Sequence, residues 1–460
     1  MIHMNAHELL QIFPQHRAVD TDFGINGVEI DSRKSCAGSL FVALKGASFD
    51  GHRFIQEAER KGATAVLTET EQKLEIPQIV VDDTRIALAR LANYWRKKIN
   101  PLLVSITGSN GKTTVKEMLG QILSSQAHTL VTPGNFNNDI GVPLTLFKLS
   151  EQDRYAVIEM GANHADEIRS LVGIAEPDVV YVNNAQAAHI EGFGSLQGVV
   201  EAKGEMYRYC DKNTLAVFNQ DDPSFDYWQS TAVSARRLKF SSHVQSDVSG
   251  VGRAVVDGLS LSVNYTGQHS TCRLKLSGEH NVQNALAAIT LAIACGLTLQ
   301  QSTEALNGYG GVPGRQQLVN GLNRSLIIDD SYNANPASLQ AALKVLCALD
   351  GTPWLALGDM AELGDESLCL HQEAARSARA MGVKKFFALG RMSCSAASVF
   401  DEDGFCFQQH EEMAEHIRKQ LHPGINLLIK GSRSAGMEKV VALLTETARH
   451  AIPAGGRHAV

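Results

Sequence analysis

The run Gly108-Ser109-Asn110-Gly111-Lys112-Thr113-Thr114 has the residue types needed to hold the phosphates of a nucleotide. Glycines let backbone N–H groups turn inward around an anion, and a helix opening at the lysine adds the positive end of its dipole. Lys112 suits the β/γ oxygens, and the hydroxyl of Thr113 or Thr114 is a hard-oxygen ligand for Mg²⁺. The full phosphate-loop pattern asks for glycine five residues before Gly111, where this chain has Ile106. A cation at such a loop usually takes a carboxylate as well, and the apolar run Ala156-Val157-Ile158-Glu159 ends in one. His189 lies just past Val182-Asn183-Asn184, and Lys203 lies within the helical stretch 200–205. Taken singly, these three residues also fit ordinary structural or surface roles.

These groups need elements to position them. Leu102-Leu103-Val104-Ser105-Ile106 is a continuous apolar run of the kind found in a central parallel strand, and 115–123 reads as the helix after the loop. Strands at 155–159, 179–183 and 215–219 follow, then a Val/Ser/Gly-rich antiparallel region at 245–275 and a helix over 281–295. Before this unit, strands at 27–30, 39–44, 63–67 and 78–81 and a helix at 52–60 form a smaller one. A long helix over 84–98 leads out of it. From Arg315 onward, strands at 325–328, 354–357, 385–389 and 426–429 alternate with helices, the pattern of a doubly wound sheet. The expectation is an α/β protein of three domains, 1–85, 86–314 and 315–460, with a frayed tail after Ile452.

Composition narrows the class. With 460 residues, 44% hydrophobic and 20% charged, the chain reads as an ordinary folded protein. A net charge of −7 argues against general nucleic-acid or membrane-surface binding. The N-terminus lacks the basic and apolar regions of a signal peptide, and no apolar run approaches the roughly 18–20 residues that span a bilayer. Eight scattered cysteines without a C-x-x-C pair point to small core residues in a reducing compartment, not to a zinc site or a disulfide framework. From the residues alone, a nucleotide-driven enzyme and a phosphate-loop switch or motor both stay open.

The order of the motifs resembles one family. Residues 107–114, Glu159, His189, Lys203, Gly278-Glu279-His280-Asn281-Val282-Gln283-Asn284-Ala285 and Asp329-Asp330-Ser331-Tyr332-Asn333-Ala334-Asn335-Pro336 are similar in kind and sequence order to the Mur ligases. These are ATP-dependent amide-forming enzymes of peptidoglycan precursor synthesis. Gly134-Asn135-Phe136-Asn137-Asn138-Asp139-Ile140-Gly141-Val142-Pro143, Gly161-Ala162-Asn163-His164, 189–195, 357–364 and Lys430-Gly431-Ser432-Arg433-Ser434 resemble the branch that adds D-Ala-D-Ala. The Asp-Asn-Pro-Arg motif of the diaminopimelate- or lysine-adding relatives is absent. A uridine-pocket-like first domain argues against folylpolyglutamate synthase.

The resemblance implies a set of roles. ATP is held by Thr107, Gly108, Ser109, Asn110, Gly111, Lys112, Thr113 and Thr114, with His280, Asn281 and Asn284 near adenine and ribose, Arg315 on the γ-phosphate and Asp330 on the ribose. One Mg²⁺ takes Thr113 or Thr114 with Glu159, and a second takes His189 with Lys203 carrying a CO₂-derived carbamate. Ser32, Arg33, Lys45, Asp50 and His52, with Asn135 and Asn138, form the binding surface for UDP-MurNAc-tripeptide. D-Ala-D-Ala meets the third domain around 358–364, and the enzyme works in the cytoplasm as a monomer.

Overall fold

The structure, a computed structural model, describes residues 1–13, 23–46, 49–186, 190–234, 236–255, 258–400 and 402–445. His189 and the tail after Ile452, both singled out in the sequence, lie outside the described residues. The fold is α/β in three domains, and each domain is built on its own sheet.

The N-terminal sheet has four short parallel strands in chain order, Val28–Glu29, Leu40–Val42, Ala65–Thr68 and Gln78–Val80. A separate antiparallel pair joins Met4–Asn5 to Gly24–Ile25. The helix expected at 52–60 is divided: a 3₁₀ turn, Gly51–Phe54, leads into Ile55–Arg60. Asp50 accepts the His52 N–H at the start of that turn and sets its entry. The helix Thr84–Ile99 begins where Asp83 accepts from the backbone of Arg85 and Ile86, and it ends at Asn100 in the left-handed region. Its buried stripe, Ala87, Leu88, Leu91, Ala92 and Trp95, packs in a core shared by the N-terminal and central domains. Arg96 on the same helix is 5% exposed, and its guanidinium is satisfied by the Ala175 and Glu176 carbonyls and the Asp178 carboxylate.

The central sheet has nine strands. From one edge they run Gln268–Leu274, Gly258–Tyr265, Val248–Val255, Arg236–Ser241, Leu215–Asn219, Val179–Val182, Leu102–Thr107, Tyr155–Glu159 and Thr129–Val131. The first three are antiparallel to each other, as the alternation over 245–275 predicts, and the remainder pair in parallel. Leu102–Thr107 is flanked on both sides by parallel strands. The loops after Thr107, Glu159 and Val182 therefore leave at the same carboxyl-end edge, where open α/β sheets bind ligands. The helices Lys112–Ser124 and Glu279–Ala294 pack on the sheet through apolar cores that include Val115, Met118, Ala285 and Leu286.

The C-terminal sheet has six strands where the sequence suggests four. Their order is Gln317–Asn320, Leu326–Asp330, Ile425–Lys430, Thr352–Gly358, Lys385–Leu389 and Gly404–Phe407. The two additional strands are the edges, short and partly exposed, without the fully apolar run that marks a central strand. Leu326–Asp330 and Thr352–Gly358 are consecutive parallel strands, yet the last strand, Ile425–Lys430, lies between them.

Two of the eight cysteines depart from the free-thiol expectation. Cys394, on the helix Arg391–Ala397, is disulfide-bonded to Cys406 on the edge strand, with Cα atoms 4.9 Å apart. The 12-residue separation carries no motif, and packing of that helix beside its neighbouring edge strand creates the pair. Among the described residues no helix is long and apolar enough to cross a membrane.

Candidate active site

The phosphate loop turns where the sequence departs from the standard pattern. Ile106 is fully buried inside the strand, and Gly108 makes the first turn at φ +145°. Gly111 follows at φ +76° and directly precedes the helix Lys112–Ser124. A Cβ on Gly111 would stand 2.4 Å from Asn183 Nδ2 and 2.7 Å from Asn284 Oδ1, so both space and conformation demand glycine. Thr107 is buried in the strand end, and its hydroxyl donates to the Met160 carbonyl at 2.7 Å. Asn183 ties the loop down by donating to the Asn110 carbonyl at 2.7 Å.

A cleft of about 950 Å³ opens in front of this loop, with walls from the central and C-terminal domains and from Arg85 at the start of the long N-terminal helix. Ser109 to Thr114, Glu159, His280, Asn281, Asn284, Arg315 and Asp330 all line it. Thr113 Oγ1 donates to Glu159 Oε2 at 2.7 Å, and Asn137 Nδ2 donates to the other carboxylate oxygen at 2.8 Å. A hydroxyl and an oriented carboxylate at the mouth of a phosphate loop form a hard-oxygen pair of the kind Mg²⁺ takes. Of the two candidate threonines, Thr113 makes this contact, while Thr114 only lines the cleft.

Lys112 places Nζ 2.6 Å from the Gly108 carbonyl, and burial pushes its ammonium below the ordinary lysine range. Arg315 stacks on Tyr332, its guanidinium carbon 4.1 Å from the ring centroid, and its buried Nε has no hydrogen-bond partner among the described residues. Asp330 is 7% exposed; burial raises its carboxyl, and Lys430, with Nζ 2.5 Å from Oδ2, opposes that rise. Burial also lowers His280. Asn284 accepts from Asn183 at 3.2 Å and donates to Asn281 at 3.3 Å, which in turn donates to the Ser277 carbonyl.

Lys203 is 2% exposed on the helix Leu196–Arg208. Its Nζ donates to the Ala162 carbonyl at 3.1 Å and lies 5.2 Å from the Phe193 ring, and burial brings its pKa down to about 7. His189, its expected partner, lies outside the described residues.

The first-domain residues make local contacts. Ser32 Oγ meets Glu57 at 3.2 Å. Arg33 is paired with Asp31, whose carboxyl it holds well below the usual range. Lys45 and Asp50 form a backbone bridge, and His52 Nδ1 is 2.7 Å from Asp50 and Nε2 accepts from the Glu69 N–H. Both segments follow the carboxyl ends of neighbouring parallel strands, but none of the five residues lines the large cleft. Asn135 and Asn138 do line it; Asn138 also accepts the Gly141 N–H at 2.8 Å. In the third-domain segment, Asp359 accepts the Ser393 N–H and Glu362 reaches the cleft.

Asn137, Tyr332 and Lys430 were absent from the sequence-derived site, although each lies inside a motif quoted above. Residue type and spacing do not reveal which side chain a turn points inward.

Family models match at 24–125 (Mur ligase family, catalytic domain), 106–292 (Mur ligase middle domain) and 314–433 (Mur ligase, glutamate ligase domain). The UDP-N-acetylmuramoyl-tripeptide–D-alanyl-D-alanine ligase of Escherichia coli (strain K12) is 40% identical over 429 residues, covering 92% of this chain and 95% of its own. The chain belongs to the Mur ligase family. The Haemophilus influenzae ligase of the same name is 39% identical, covering 97% of this chain and 99% of its own. Among solved Mur ligases, a MurF crystal structure from Acinetobacter baumannii superposes with a TM-score of 0.88 at 34% identity, covering 96% of this chain and 98% of its own. MurF from Thermotoga maritima, solved in complex with ADP, gives 0.80 at 26% identity, covering 91% of this chain and 96% of its own.

Proposed function

We infer that this chain is an ATP-dependent amide ligase that adds D-alanyl-D-alanine to UDP-N-acetylmuramoyl-tripeptide, giving the UDP-MurNAc-pentapeptide used in peptidoglycan synthesis. The observation that carries the reading is the single cleft in which the phosphate loop, the Thr113–Glu159 pair, Arg315 and Asp330 converge. Full-length similarity to ligases of that name supports the choice of substrates. We assign 1–85 to the UDP end of the substrate, 86–314 to ATP and 315–460 to the dipeptide side. The enzyme acts as a cytoplasmic monomer.

Amide formation from a free carboxylate is uphill in water, so the carboxylate first needs a leaving group. The terminal carboxylate of the tripeptide attacks the γ-phosphorus of ATP, the bond to ADP breaks, and an acyl phosphate forms. The dipeptide amine then attacks the acyl carbon, loses a proton, and inorganic phosphate departs. Lys112 and Arg315 supply positive charge opposite the phosphate oxygens. The unpartnered Arg315 Nε–H is a donor ready for an anionic oxygen. His280, Asn281, Asn284 and Asp330 bind the nucleoside part.

Thr113 and Glu159 would hold one Mg²⁺. Lys203 would serve a second together with His189; a buried amine with a pKa near 7 is neutral often enough at physiological pH to react with CO₂. The resulting carbamate replaces an ammonium, which cannot ligate a cation, with oxygens that can. Cations held by these residues would offset the mutual repulsion of the phosphate and carboxylate oxygens. Closure of the domains over the cleft would exclude water, which would otherwise hydrolyse the acyl phosphate.

Phosphate release measured with UDP-MurNAc-tripeptide, with and without D-Ala-D-Ala, tests the reading. Release that depends on both, with the pentapeptide mass as product, is expected. ATP hydrolysis indifferent to the dipeptide would overturn it.

A further inference from the structure

Asn110 is the most heavily committed residue of the phosphate loop. Its N–H donates to Asn184 Oδ1 at 2.9 Å, and its carbonyl accepts from Asn183 at 2.7 Å and Asn184 at 3.1 Å. Its side-chain amide donates to Gln186 Oε1 at 2.6 Å. The remaining acceptor, Oδ1, is taken by Asn335 Nδ2 at 3.0 Å, from a residue 225 positions away in the C-terminal domain. A tip of the loop fixed on four sides by its own domain thus receives a fifth bond from the neighbouring domain.

Asn335 is suited to this by its other contacts. Its Oδ1 accepts the Ser338 N–H at 2.8 Å and its backbone N–H reaches Ser338 Oγ at 3.1 Å, a reciprocal cap at the start of the helix Pro336–Ala348. The cap consumes the oxygen of the amide and orients it, so the NH₂ group is aimed away from the helix toward the loop. One rigid side chain therefore links the start of a C-terminal helix to the turn that cradles phosphate. Arg315 and Asp330, of the same C-terminal domain, also line the cleft.

We propose that Asn335 is a positioning residue that couples docking of the C-terminal domain to the conformation of the phosphate loop through Asn110. Nucleotide then binds best when the domain bearing Arg315 and Asp330 is seated. This rests on the reading of the cleft as an ATP site.

The cap and the link can be separated by substitution. Asn335→Ser keeps a good capping oxygen but cannot span to Asn110, and it adds no charge near the phosphates. Asn335→Asp keeps the acceptor and loses the donor. Titration calorimetry with a non-hydrolysable ATP analogue and Mg²⁺ reads binding independently of turnover. If the wild type does not bind the analogue, the ATP-site reading fails before Asn335 is tested. Losing one hydrogen bond of ordinary strength corresponds to about threefold to tenfold weaker binding for Asn335→Ser, and more for Asn335→Asp. Thermal stability and affinity for UDP-MurNAc-tripeptide should stay at wild-type values. The double variant Asn110→Ala/Asn335→Ser should bind the analogue no more weakly than Asn110→Ala alone. Wild-type analogue affinity in Asn335→Ser, or additive losses in the double variant, would overturn the proposal, as would equal loss of both ligands.

Discussion

Replacing Lys430 with methionine isolates the electrostatics of the acid in the cleft. Lys430 and Asp330 lie on adjacent parallel strands in register, with side chains 3% and 10% exposed at the wall of the cleft. The Lys430 ammonium also donates to the Asn333 carbonyl at 2.9 Å. Methionine keeps the length of the stem and removes the charge, leaving a buried carboxylate whose remaining positive neighbour is Arg315. Breaking a buried pair costs about 3–5 kcal/mol when the remaining charge is uncompensated, and the nearby Arg315 places this case toward the lower end. For a unit of this size that is a fall in unfolding temperature on the order of 10 °C.

The pH dependence gives the reasoning its sharper test. Burial already raises Asp330 and Lys430 opposes it, so without the lysine the folded-state pKa climbs further above its unfolded value near 3.9. A group with a raised folded pKa binds its proton more readily in the folded state. The cost of Lys430→Met is therefore small at pH below the unfolded value, grows as pH rises, and is complete above the folded pKa. Calorimetry at pH 5 and pH 8 should show the gap between variant and wild type narrowing at the lower pH. Adding Asp330→Asn should recover at least half of the loss at pH 8. An equal gap at both pH values, or no recovery with the amide, would refute the account and point to lost packing alone.

Lys112→Ala should lower turnover by at least about 10²-fold, the scale of losing a preorganised charge at a reacting centre, while UDP-substrate affinity measured by calorimetry is retained. Lys203→Ala should be nearly inactive and partly rescued by millimolar short carboxylic acids that replace carbamate oxygens; normal unrescued activity would remove the second cation from the scheme. Asn137→Ala frees one Glu159 oxygen, so the Mg²⁺ concentration for half-maximal activity should rise about 10- to 100-fold with little change in melting temperature, and an unchanged Mg²⁺ titration would reject its orienting role.

Much of the fold was legible because it rests on local signals. Apolar runs such as 102–106 and 155–159 mark central strands, and the period of 84–98 marks the helix that runs from Thr84 to Ile99. The edge strands Gln317–Asn320 and Gly404–Phe407 were not legible, because a half-exposed strand of four residues has no burial pattern to distinguish it from a loop. The phosphate loop and Glu159 were readable because backbone curvature and charge demand particular residue types at fixed spacing. Lys430, Tyr332 and Asn137 were not, since each acts through contacts between segments 17 to about 100 residues apart. The Cys394–Cys406 bond was invisible for the same reason, being made by packing and by no motif.

The order of the C-terminal sheet bears on how the protein is made. Its last strand, Ile425–Lys430, is inserted between two strands completed some seventy to a hundred residues earlier. Until the ribosome has added that segment, Leu326–Asp330 and Thr352–Gly358 have no shared partner, and each presents an open edge to the cell. The same strand carries Lys430, so the acid of the cleft gains its ion-pair partner only when a segment about a hundred residues further along has been translated. A chain broken off before residue 425 is therefore missing more than a tail. It has a sheet split through its middle and a phosphate loop facing an unfinished wall.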